Sequence, residues 1–192
     1  VFQPPGGRFL LGTDNFGRDA LSRLMWGGRI TLYVALLAVA LGSTGGFLLG
    51  LVSGFWGGAV DAALQRLVDI LLSFPLLVLA IVIVASLGPS VHNVVLAIAI
   101  VMVPRTARVL RSSALSVKAT QYVDAARALG CGQWRILRVH IAPNCFAPYI
   151  IMATISLAEA VLIESTLSFL GMGAPPPAAT WGSMLSEARA YM

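Results

Sequence analysis

Long apolar stretches alternate with short polar ones along the chain. No charged side chain occurs between Arg29 and Asp61, and none occurs between Asp69 and Arg105. Each of these stretches exceeds the roughly 20 apolar residues that a membrane-spanning helix needs, whereas buried helices of soluble proteins are seldom so long. The pattern therefore predicts an all-α, polytopic membrane protein.

Turn residues and charges set the expected bounds of the spans. We predict about four spans, at residues 30–51, 70–87, 91–110 and 145–170. The second carries Pro75 near its start and stops at Gly88 and Pro89, because glycine and proline both disfavour helix continuation. The third meets Pro104 and several arginines, so it either ends early or extends those side chains to the interface. Residues 181–192 are too few to cross.

The first span carries glycine at every fourth position. The members of this row are Gly42, Gly46, Gly50, Gly54 and Gly58. Small residues at this spacing allow the backbone of another helix to approach closely, and the predicted role is helix packing. The alternative is that glycine is simply frequent in membrane helices.

Composition and charge support a membrane protein. The chain is 58% hydrophobic and 11% charged, far from the roughly 25% charged residues of soluble proteins. A net charge of +5 could suggest nucleic acid, but the basic residues cluster beside apolar segments instead of covering a soluble face. We therefore expect membrane lipid, and no nucleic acid, as a partner.

The polar stretch at residues 105–138 sets the orientation. It holds seven basic residues against one acid, Asp124, so the positive-inside rule places it in the cytoplasm. Residues 1–29 and 171–192 then lie outside. Cys131 and Cys145 fall on the cytoplasmic side, where thiols stay reduced, so no structural disulfide is expected.

Within the expected cytoplasmic loop, residues 111–144, the pattern predicts two short helices around a glycine turn. One stripe of the first helix contains Tyr122, Ala125, Ala126 and Leu129. Gly130 then ends that helix, residues 133–139 form the second, and Pro143 opens the next span. Two small alanines suit insertion into the groove of a partner protein. The alternative is a basic hairpin that lies on anionic lipid.

Several passages, taken in order, resemble one family of transport proteins. They are residues 11–23, Gly57-Gly58 with Asp61, residues 66–75, residues 122–144, residues 167–173, and Trp181-Gly182. Together they resemble the permease subunits of the dipeptide, oligopeptide and nickel branch of ATP-binding cassette (ABC) importers. The loop resembles the EAA motif of those permeases, with Asp124 in place of Glu, His140 in place of an aliphatic residue and Ala142 in place of Leu.

The resemblance implies one transmembrane domain, residues 1–192, with the fold of a type I ABC importer in the bacterial cytoplasmic membrane. It implies peptide import by alternating access, with nickel or another small solute as the alternative substrate. In such permeases the loop matched by residues 122–144 docks on a cytoplasmic ATPase that binds ATP and Mg²⁺. The other partners implied are a second permease subunit, in a heterodimer, and an extracytoplasmic substrate-binding protein. These permeases usually carry one more span at each end, so the chain is interpreted as a fragment.

The sequence itself argues against catalysis in this chain. Lys118 is the one lysine and follows Val117, whereas a phosphate-binding P-loop needs glycine before its lysine. His92 and His140 fall on opposite membrane faces and cannot share a metal. We therefore expect no catalytic residue, cofactor or metal here, and ATP hydrolysis by another polypeptide.

Acids inside a span are candidates for a transport path, because a charge in hydrocarbon costs at least about 2.5 kcal/mol. Glu159 and Glu164 lie about 140° apart on a helix and cannot share one narrow stripe. Glu159 with Ser156 is the candidate for the translocation path, and Glu164 with Ser165 and Ser168 is expected to be structural. Asp69 is expected to cap or contact a helix.

Two other functional classes remain open from the sequence. One is an ion-coupled secondary carrier or channel that uses Glu159 and Glu164 as ion sites. The other is a membrane assembly protein whose glycine row binds other helices. The charged outer segment around Asp14 and Arg23 could face a substrate-binding protein, or it could be an amphipathic helix that leads into the first span.

Overall fold

The chain is mostly helical in the computed structural model, which describes residues 3–175, 177–189 and 191. The helices are α1 (Ala20–Trp56), α2 (Gly58–Leu72), α3 (Leu76–Leu87), α4 (Val91–Lys118), α5 (Gln121–Ala128), α6 (Gln133–Arg135), α7 (Phe146–Phe169) and α8 (Trp181–Arg189). A π-helical segment, Ile136–Ile141, and a 3-10 turn, Pro143–Cys145, lie between α6 and α7. The prediction of an all-α membrane protein is confirmed.

Among the described residues, three helical stretches are long and apolar enough to cross a bilayer. They are Ala20–Trp56, Val91–Lys118 and Gln133–Phe169. A fourth span exists if α2 and α3 count as one broken span, since they meet at a bend of 89°. The four predicted spans thus correspond to three long helical stretches and one bent pair.

The residues group into two compact units. One consists of Val1–Ala38, Ala80–Ile98 and Glu159–Met192, and the other of Val39–Leu79 and Ala99–Ala158. The second unit contains the loop between the third and fourth predicted spans, and the first contains the N-terminal segment and α8. We call them the outer unit and the loop unit, after the segments that they carry.

Helix α1 begins ten residues before the predicted start of the first span. Asp19 caps it, because its carboxylate accepts hydrogen bonds from the backbone N–H of Ser22 (3.0 Å) and from the Ser22 hydroxyl (2.5 Å). At 37 residues the helix is about 55 Å long, which exceeds the thickness of a bilayer with its headgroups. The last ten residues of the predicted outer segment are therefore the first turns of the spanning helix.

The glycine row forms the contact between α1 and α4 inside the loop unit. A Cβ atom placed on Gly42, Gly46, Gly50 or Gly54 would lie 2.6–2.8 Å from an atom of α4, which is closer than real Cβ contacts. Gly58 does not belong to this row. Gly57 and Gly58 have φ angles of 68° and 54°, so they end α1 and turn the chain into α2, and nothing lies within 4 Å of Gly58's Cβ position. The predicted packing role of Gly58 is wrong.

The second predicted span is not a straight helix. Helix α2 ends at Leu72, where the backbone N–H of Ser73 donates to the Asp69 carbonyl (3.0 Å) and the Ser73 hydroxyl donates to that of Ile70 (2.6 Å). Pro75 has no N–H to donate to this helix, and its ring would clash with a carbonyl of the preceding turn. Helix α3 has 12 residues, about 18 Å, which is too short to cross a bilayer alone.

Helix α4 continues through Pro104 to Lys118, eight residues past the predicted end of the third span at residue 110. The proline removes one backbone hydrogen bond, but α1 packs closely against α4 on both sides of it, at Ala99 and at Ala107. Arg108, one of the arginines that argued for an early end, pairs with Asp69 of α2. Residues 111–118 are therefore helical, and the loop proper begins after Lys118.

Candidate functional site

Helix α5 packs one of its faces against the core of the loop unit. Val123 is fully buried and Ala126 is 7% exposed. They pack in one hydrophobic cluster with Leu51 and Phe55 of α1 and with Leu110 of α4. Residues at i and i+3 point to the same side of a helix, so Val123 and Ala126 together hold α5 against the ends of two spanning helices.

A second face of α5, about a quarter turn from the first, is largely exposed in the described part of the chain. Tyr122 is 45% exposed, Leu129 is 85% exposed, and Ala125 is also exposed. An exposed leucine beside a half-exposed tyrosine forms an apolar surface that water solvates poorly. This outward face, Tyr122, Ala125 and Leu129, contains three of the four residues predicted to form the docking stripe.

Ala126, the fourth member of that stripe, faces inward, so its predicted contact with a partner is wrong. The physical reason is that burying Val123 together with Ala126 removes more apolar surface from water than burying Ala125 together with Ala126 would. Sequence reasoning missed Val123, although a valine three residues before an alanine was a usable signal for the buried face.

Gly130 closes α5 with the hydrogen bonds of a Schellman motif. The Gly130 N–H donates to the Arg127 carbonyl (2.9 Å), and the Cys131 N–H donates to the Ala126 carbonyl (3.1 Å). Gly130 has a φ of 79°, which L-residues with a side chain rarely adopt, although no atom lies within 4 Å of its Cβ position. Backbone conformation, not space, therefore selects glycine, and the predicted helix end is confirmed.

The second half of the loop continues directly into α7. Ile136, Leu137 and Ile141 are buried in the same cluster as Val123. The Ala142 N–H donates to the Leu137 carbonyl (2.8 Å), five residues back, which is the π-helical pattern. The second helix predicted at residues 133–139 is thus the start of a longer helical stretch, not a separate rod that stops before a span.

Pro143 is exposed and starts a 3-10 turn, so it bends the stretch into α7 without ending it. Near it, the His140 carbonyl accepts from the Asn144 amide (2.6 Å) and from the Tyr122 hydroxyl (3.4 Å). A proline cannot donate to the carbonyls of the preceding turn, and these side chains replace part of that loss. Tyr122 thereby joins α5 to the second half of the loop.

Charges on the loop are exposed and weakly paired. Arg127 donates to Asp124 at 2.8 Å, three residues apart, and the two side chains are 41% and 66% exposed. An exposed pair of this kind stabilises a helix by about 0.2–0.5 kcal/mol. Asp124 therefore contributes little to the fold, and its carboxylate remains accessible for contact with another molecule.

An ion-pair cluster joins α2 and α4 near the loop. Arg111 contacts Asp61 with two nitrogens, and Asp61 also accepts a hydrogen bond from the Ser53 hydroxyl of α1. Arg108 pairs with Asp69 at 2.5 Å. Asp69 therefore makes a contact between helices, which is one of the two roles predicted for it. Asp61 and Asp69 thus tie α2 to α4, and Asp61 also ties both helices to α1.

The predicted path residues lie on α7. Glu159 is half-buried, and Ser156 is 4% exposed, so the Ser156 hydroxyl is covered by its own chain. Glu164 is 1% exposed, and one of its oxygens accepts from the Ser168 hydroxyl at 2.7 Å. This bond supports the structural role predicted for Glu164. Within the described residues, no group of three or more His, Cys, Asp or Glu is placed to hold a metal ion.

The outer unit carries its own polar cluster. Arg23 lies between Asp14 (2.8 Å) and Glu187 (2.6 Å), and Arg18 contacts the same two acids. Helix α8 starts at a reciprocal cap in which Thr180 and Ser183 exchange hydrogen bonds of 2.9 and 3.1 Å. The Trp181 indole donates to the Leu24 carbonyl (3.0 Å) and packs on Gly28. The predicted outer segment and α8 therefore form one surface.

Comparison with known proteins identifies the family. Residues 46–192 match the family described as binding-protein-dependent transport system inner membrane component. The chain belongs to this family. Its long apolar helices agree with the description, and the protein is a multi-pass protein of the cytoplasmic membrane.

Two members of this family illustrate the similarity. The dipeptide transport system permease protein DppC of Haemophilus influenzae is 44% identical over 184 residues, which are 96% of this chain and 62% of the relative. The di/tripeptide transport system permease protein DppC of Pseudomonas aeruginosa is 45% identical over 185 residues, 96% of this chain and 61% of the relative. The chain thus spans less than two thirds of the length of these relatives.

Solved structures show the same fold at lower identity. The MetNI methionine ABC transporter, in inward-facing conformations, has a chain that matches with a TM-score of 0.72 and 20% identity over 88% of this chain and 81% of that chain. A chain of an amino acid ABC transporter crystallised with histidines matches with a TM-score of 0.66 and 20% identity, over 90% of this chain and 81% of that one. The predicted fold of a type I ABC importer transmembrane domain is confirmed.

Proposed function

We propose that this chain is part of the transmembrane subunit of an ABC importer that moves di- or oligopeptides across the cytoplasmic membrane. Family membership supports a binding-protein-dependent transport system, and the names of the relatives support a peptide substrate. The same membership favours this function over an ion-coupled carrier and over a membrane assembly protein. ATP and Mg²⁺ would be bound by a separate ATPase subunit, and this chain would be non-catalytic.

The division of α5 into two faces is the observation that carries the proposal. Val123 and Ala126 hold the helix on the core, while Tyr122, Ala125 and Leu129 present an apolar surface to the outside. A short helix that is anchored on one side and bare on the other suits insertion into a groove of a partner. The Asp124 carboxylate at the edge of this surface could add a polar contact, and Pro143 and Gly130 shape the loop that presents it.

The shared core explains how force on this helix could reach the membrane. Val123 and Ala126 pack in the same cluster as Phe55 near the end of α1 and Leu110 of α4. A packed core transmits displacement because its atoms have little free space into which to move. A partner ATPase that shifts α5 on binding ATP would therefore shift the ends of two spans. Alternating access is then an equilibrium of two states, biased by different contacts in each.

Two further partners are proposed from exposed surfaces. Ile151, Ile155 and Leu162 lie on one stripe of α7 and are 53–68% exposed, which suits a second permease subunit in a heterodimer. On the outer unit, the exposed Phe16 donates its backbone N–H to Asp14 of the Asp14 and Arg23 cluster, and this charged surface suits a substrate-binding protein. Glu159 is proposed to contact the translocated solute or its water, whereas the burial of Ser156 argues against that role for the serine.

Two neighbouring alanines provide the test. In the complete transporter, a single cysteine at Ala125 should crosslink to the ATPase subunit, whereas one at Ala126 should not, because the two positions differ in exposure but not in chemistry. The test is made in a Cys131→Ser background, and peptide mapping assigns the crosslinked residue. Equal crosslinking at both positions, or a crosslink to no ATPase at all, would contradict the proposed docking face.

A further inference from the structure

A cavity of about 350 Å³ lies beside the glycine turn of the loop, inside the loop unit. Its wall includes Phe55 and Trp56 at the end of α1, Lys118 at the end of α4, and Arg127, Cys131 and Gln133 of the loop. Two cations and an amide therefore face a space large enough for several non-hydrogen atoms. The proposed docking face on α5 does not account for this cavity, because Tyr122, Ala125 and Leu129 are not part of its wall.

The Lys118 ammonium and the Arg127 guanidinium each make hydrogen bonds within the chain but keep further N–H donors available. The Lys118 ammonium donates to the Phe55 carbonyl (2.5 Å) and lies 5.7 Å from the centre of the Phe55 ring. An ammonium has three N–H donors, so two remain after this bond. Arg127 contacts Asp124 through one terminal nitrogen, and a guanidinium has five donors. The cavity is thus prepared for a ligand that accepts several hydrogen bonds and carries negative charge.

The surrounding aromatic residues indicate the depth of the cavity in the membrane. Trp56 meets Trp134 edge to face, with ring centres 5.0 Å apart, and the Arg138 guanidinium lies 5.6 Å from the centre of the Trp134 ring. Trp134 is 60% exposed. Tryptophan side chains prefer the headgroup level of a bilayer, and Trp56 is the last residue of the long apolar helix α1. This preference of tryptophan favours a position of the cavity near the level of the lipid phosphates.

We propose that this cavity binds the phosphate group of an anionic phospholipid of the cytoplasmic leaflet. Lysine and arginine recognise phosphate oxygens by charge-assisted hydrogen bonds, and the Gln133 amide adds a neutral donor. Basic pockets between spanning helices on the cytoplasmic side are sites of this kind. A carboxylate from a partner protein has similar chemistry, but the tryptophans favour a ligand that belongs to the bilayer. The inference requires the cytoplasmic orientation of the loop and does not require transport.

Cys131 offers a native reporter inside the cavity. It is half-buried, whereas Cys145 is fully buried and is shielded from reagents. The rate of maleimide labelling at Cys131 is measured by peptide mapping on the full-length protein in phosphatidylcholine nanodiscs, with and without phosphatidylglycerol. We expect phosphatidylglycerol to slow labelling and inorganic phosphate in solution to leave it unchanged. Equal protection by inorganic phosphate would overturn the assignment to lipid, as would a labelling rate that is independent of phosphatidylglycerol.

Two matched arginine variants distinguish lipid binding in the cavity from attraction of lipid to the basic surface in general. Arg127→Gln removes one cation of the cavity, so about fivefold more phosphatidylglycerol should be needed for half-maximal protection. Arg135→Gln removes the same charge from an exposed position of the loop outside the cavity wall, and protection should stay as in the wild type. Equal loss in both variants would indicate only surface charge and would overturn the proposal. Protection that requires the ATPase subunit would assign the cavity to a protein partner instead and would also overturn it.

Discussion

Arg111 of α4 and Asp61 of α2 form a two-pronged ion pair. The Arg111 Nε atom lies 2.6 Å from one carboxylate oxygen of Asp61, and a terminal guanidinium nitrogen lies 2.5 Å from the other. The Ser53 hydroxyl of α1 donates to the same carboxylate, and Gln65 donates to Ser53 at 2.9 Å. Parallel hydrogen bonds of this kind fix the relative position of two planar groups. The pair therefore holds three helices together at the end of the loop unit that carries α5.

Asp61→Asn should destabilise the protein through loss of this pair. Asparagine keeps the size of the side chain but removes the charge, and the Arg111 side chain, 32% exposed, is left partly desolvated without its partner. Hydrogen bonds to charged groups contribute about 1.5–3 kcal/mol each, so we expect a loss of about 1–3 kcal/mol. Thermal unfolding of the purified protein in detergent measures this loss as a lower Tm.

Asp69→Asn provides the matched control for that substitution. Asp69 also pairs with an arginine of α4, but both side chains of this pair are 55% exposed. Such exposed pairs contribute about 0–1 kcal/mol. A Tm that falls equally in both variants would show that the Asp61 cluster has no special structural role.

Gly50→Ala should weaken the contact between α1 and α4. The new methyl group would lie 2.6 Å from the Ala107 carbonyl oxygen and 2.8 Å from the Leu110 Cβ atom. Since one of these atoms is backbone, the helices themselves must move apart, and overpacking of this kind costs about 1–3 kcal/mol. Denaturation in detergent measures the change in stability.

Gly45→Ala, five residues earlier on the same helix, is the control. Its nearest neighbour would be a methyl group of Val103 at 3.2 Å, which can rotate away. The expected change is therefore small. Helix propensity favours alanine over glycine, so it cannot cause a loss of stability in either variant. If Gly45→Ala destabilised the protein as much as Gly50→Ala, the close contact of Gly50 with α4 would not be the cause of the loss.

Gly130→Val should impair coupling while the spans remain inserted. A β-branched residue at a φ of 79° costs about 1–2 kcal/mol, so the hydrogen bonds that close α5 would open and its docking face would lose its fixed position. In vesicles that contain the complete transporter, peptide uptake and substrate-stimulated ATP hydrolysis should fall together.

Gly132→Ala tests whether that effect comes from backbone conformation. Gly132 has a φ of −63° and open space around its Cβ position, so alanine fits without strain. Uptake should stay near the wild-type level. Full ATPase stimulation in Gly130→Val would mean that the geometry of this turn is not needed for coupling.

Acid should release the outer segment from α8. Although burial raises the pKa of Asp14, hydrogen bonds from Arg18, Phe16 and Arg23 outweigh it and lower the pKa from 3.8 to about 2. The hydrogen bond from Arg23 likewise lowers the pKa of Glu187. A carboxylate with a lowered pKa stabilises the folded state above its unfolded pKa, and this stabilisation is lost as the pH falls toward the folded pKa.

The contact should therefore be intact above pH 4 and weaken between pH values of about 4 and 2. Acid-stable protease cleavage within residues 3–19, followed as a function of pH, measures this release. Asp14→Asn should make cleavage easier already at neutral pH and should flatten the pH dependence. A wild-type cleavage profile in that variant would contradict the proposed contribution of Asp14.

In the loop, sequence patterns predicted the end of α5 but not which of its faces is buried. The glycine turn at Gly130 was predictable because a conformation with positive φ strongly selects one residue type. The inward face of α5 was not, because Tyr122, Val123, Ala125 and Ala126 offer two plausible stripes, and the choice depends on which side meets Phe55 and Leu110. Periodicity reports that a helix has an apolar face but does not identify the partner of that face.

The sequence by itself determined that the chain crosses a membrane as helices, that the glycines of α1 face another helix, and that a glycine-hinged loop separates two spans. These properties depend on local composition and spacing. Only the tertiary structure decided that Gly58 leaves the glycine row, that Pro75 bends one span while Pro104 leaves another intact, and that Ala126 is buried. Contacts between residues distant in the chain decided two of these outcomes, because close packing against α1 supports α4 around Pro104 and Ala126 is buried in a cluster with residues of α1 and α4. The other two are local, because the helix before Pro75 ends at its own cap at Ser73 and the positive φ angles of Gly57 and Gly58 turn the chain out of the row.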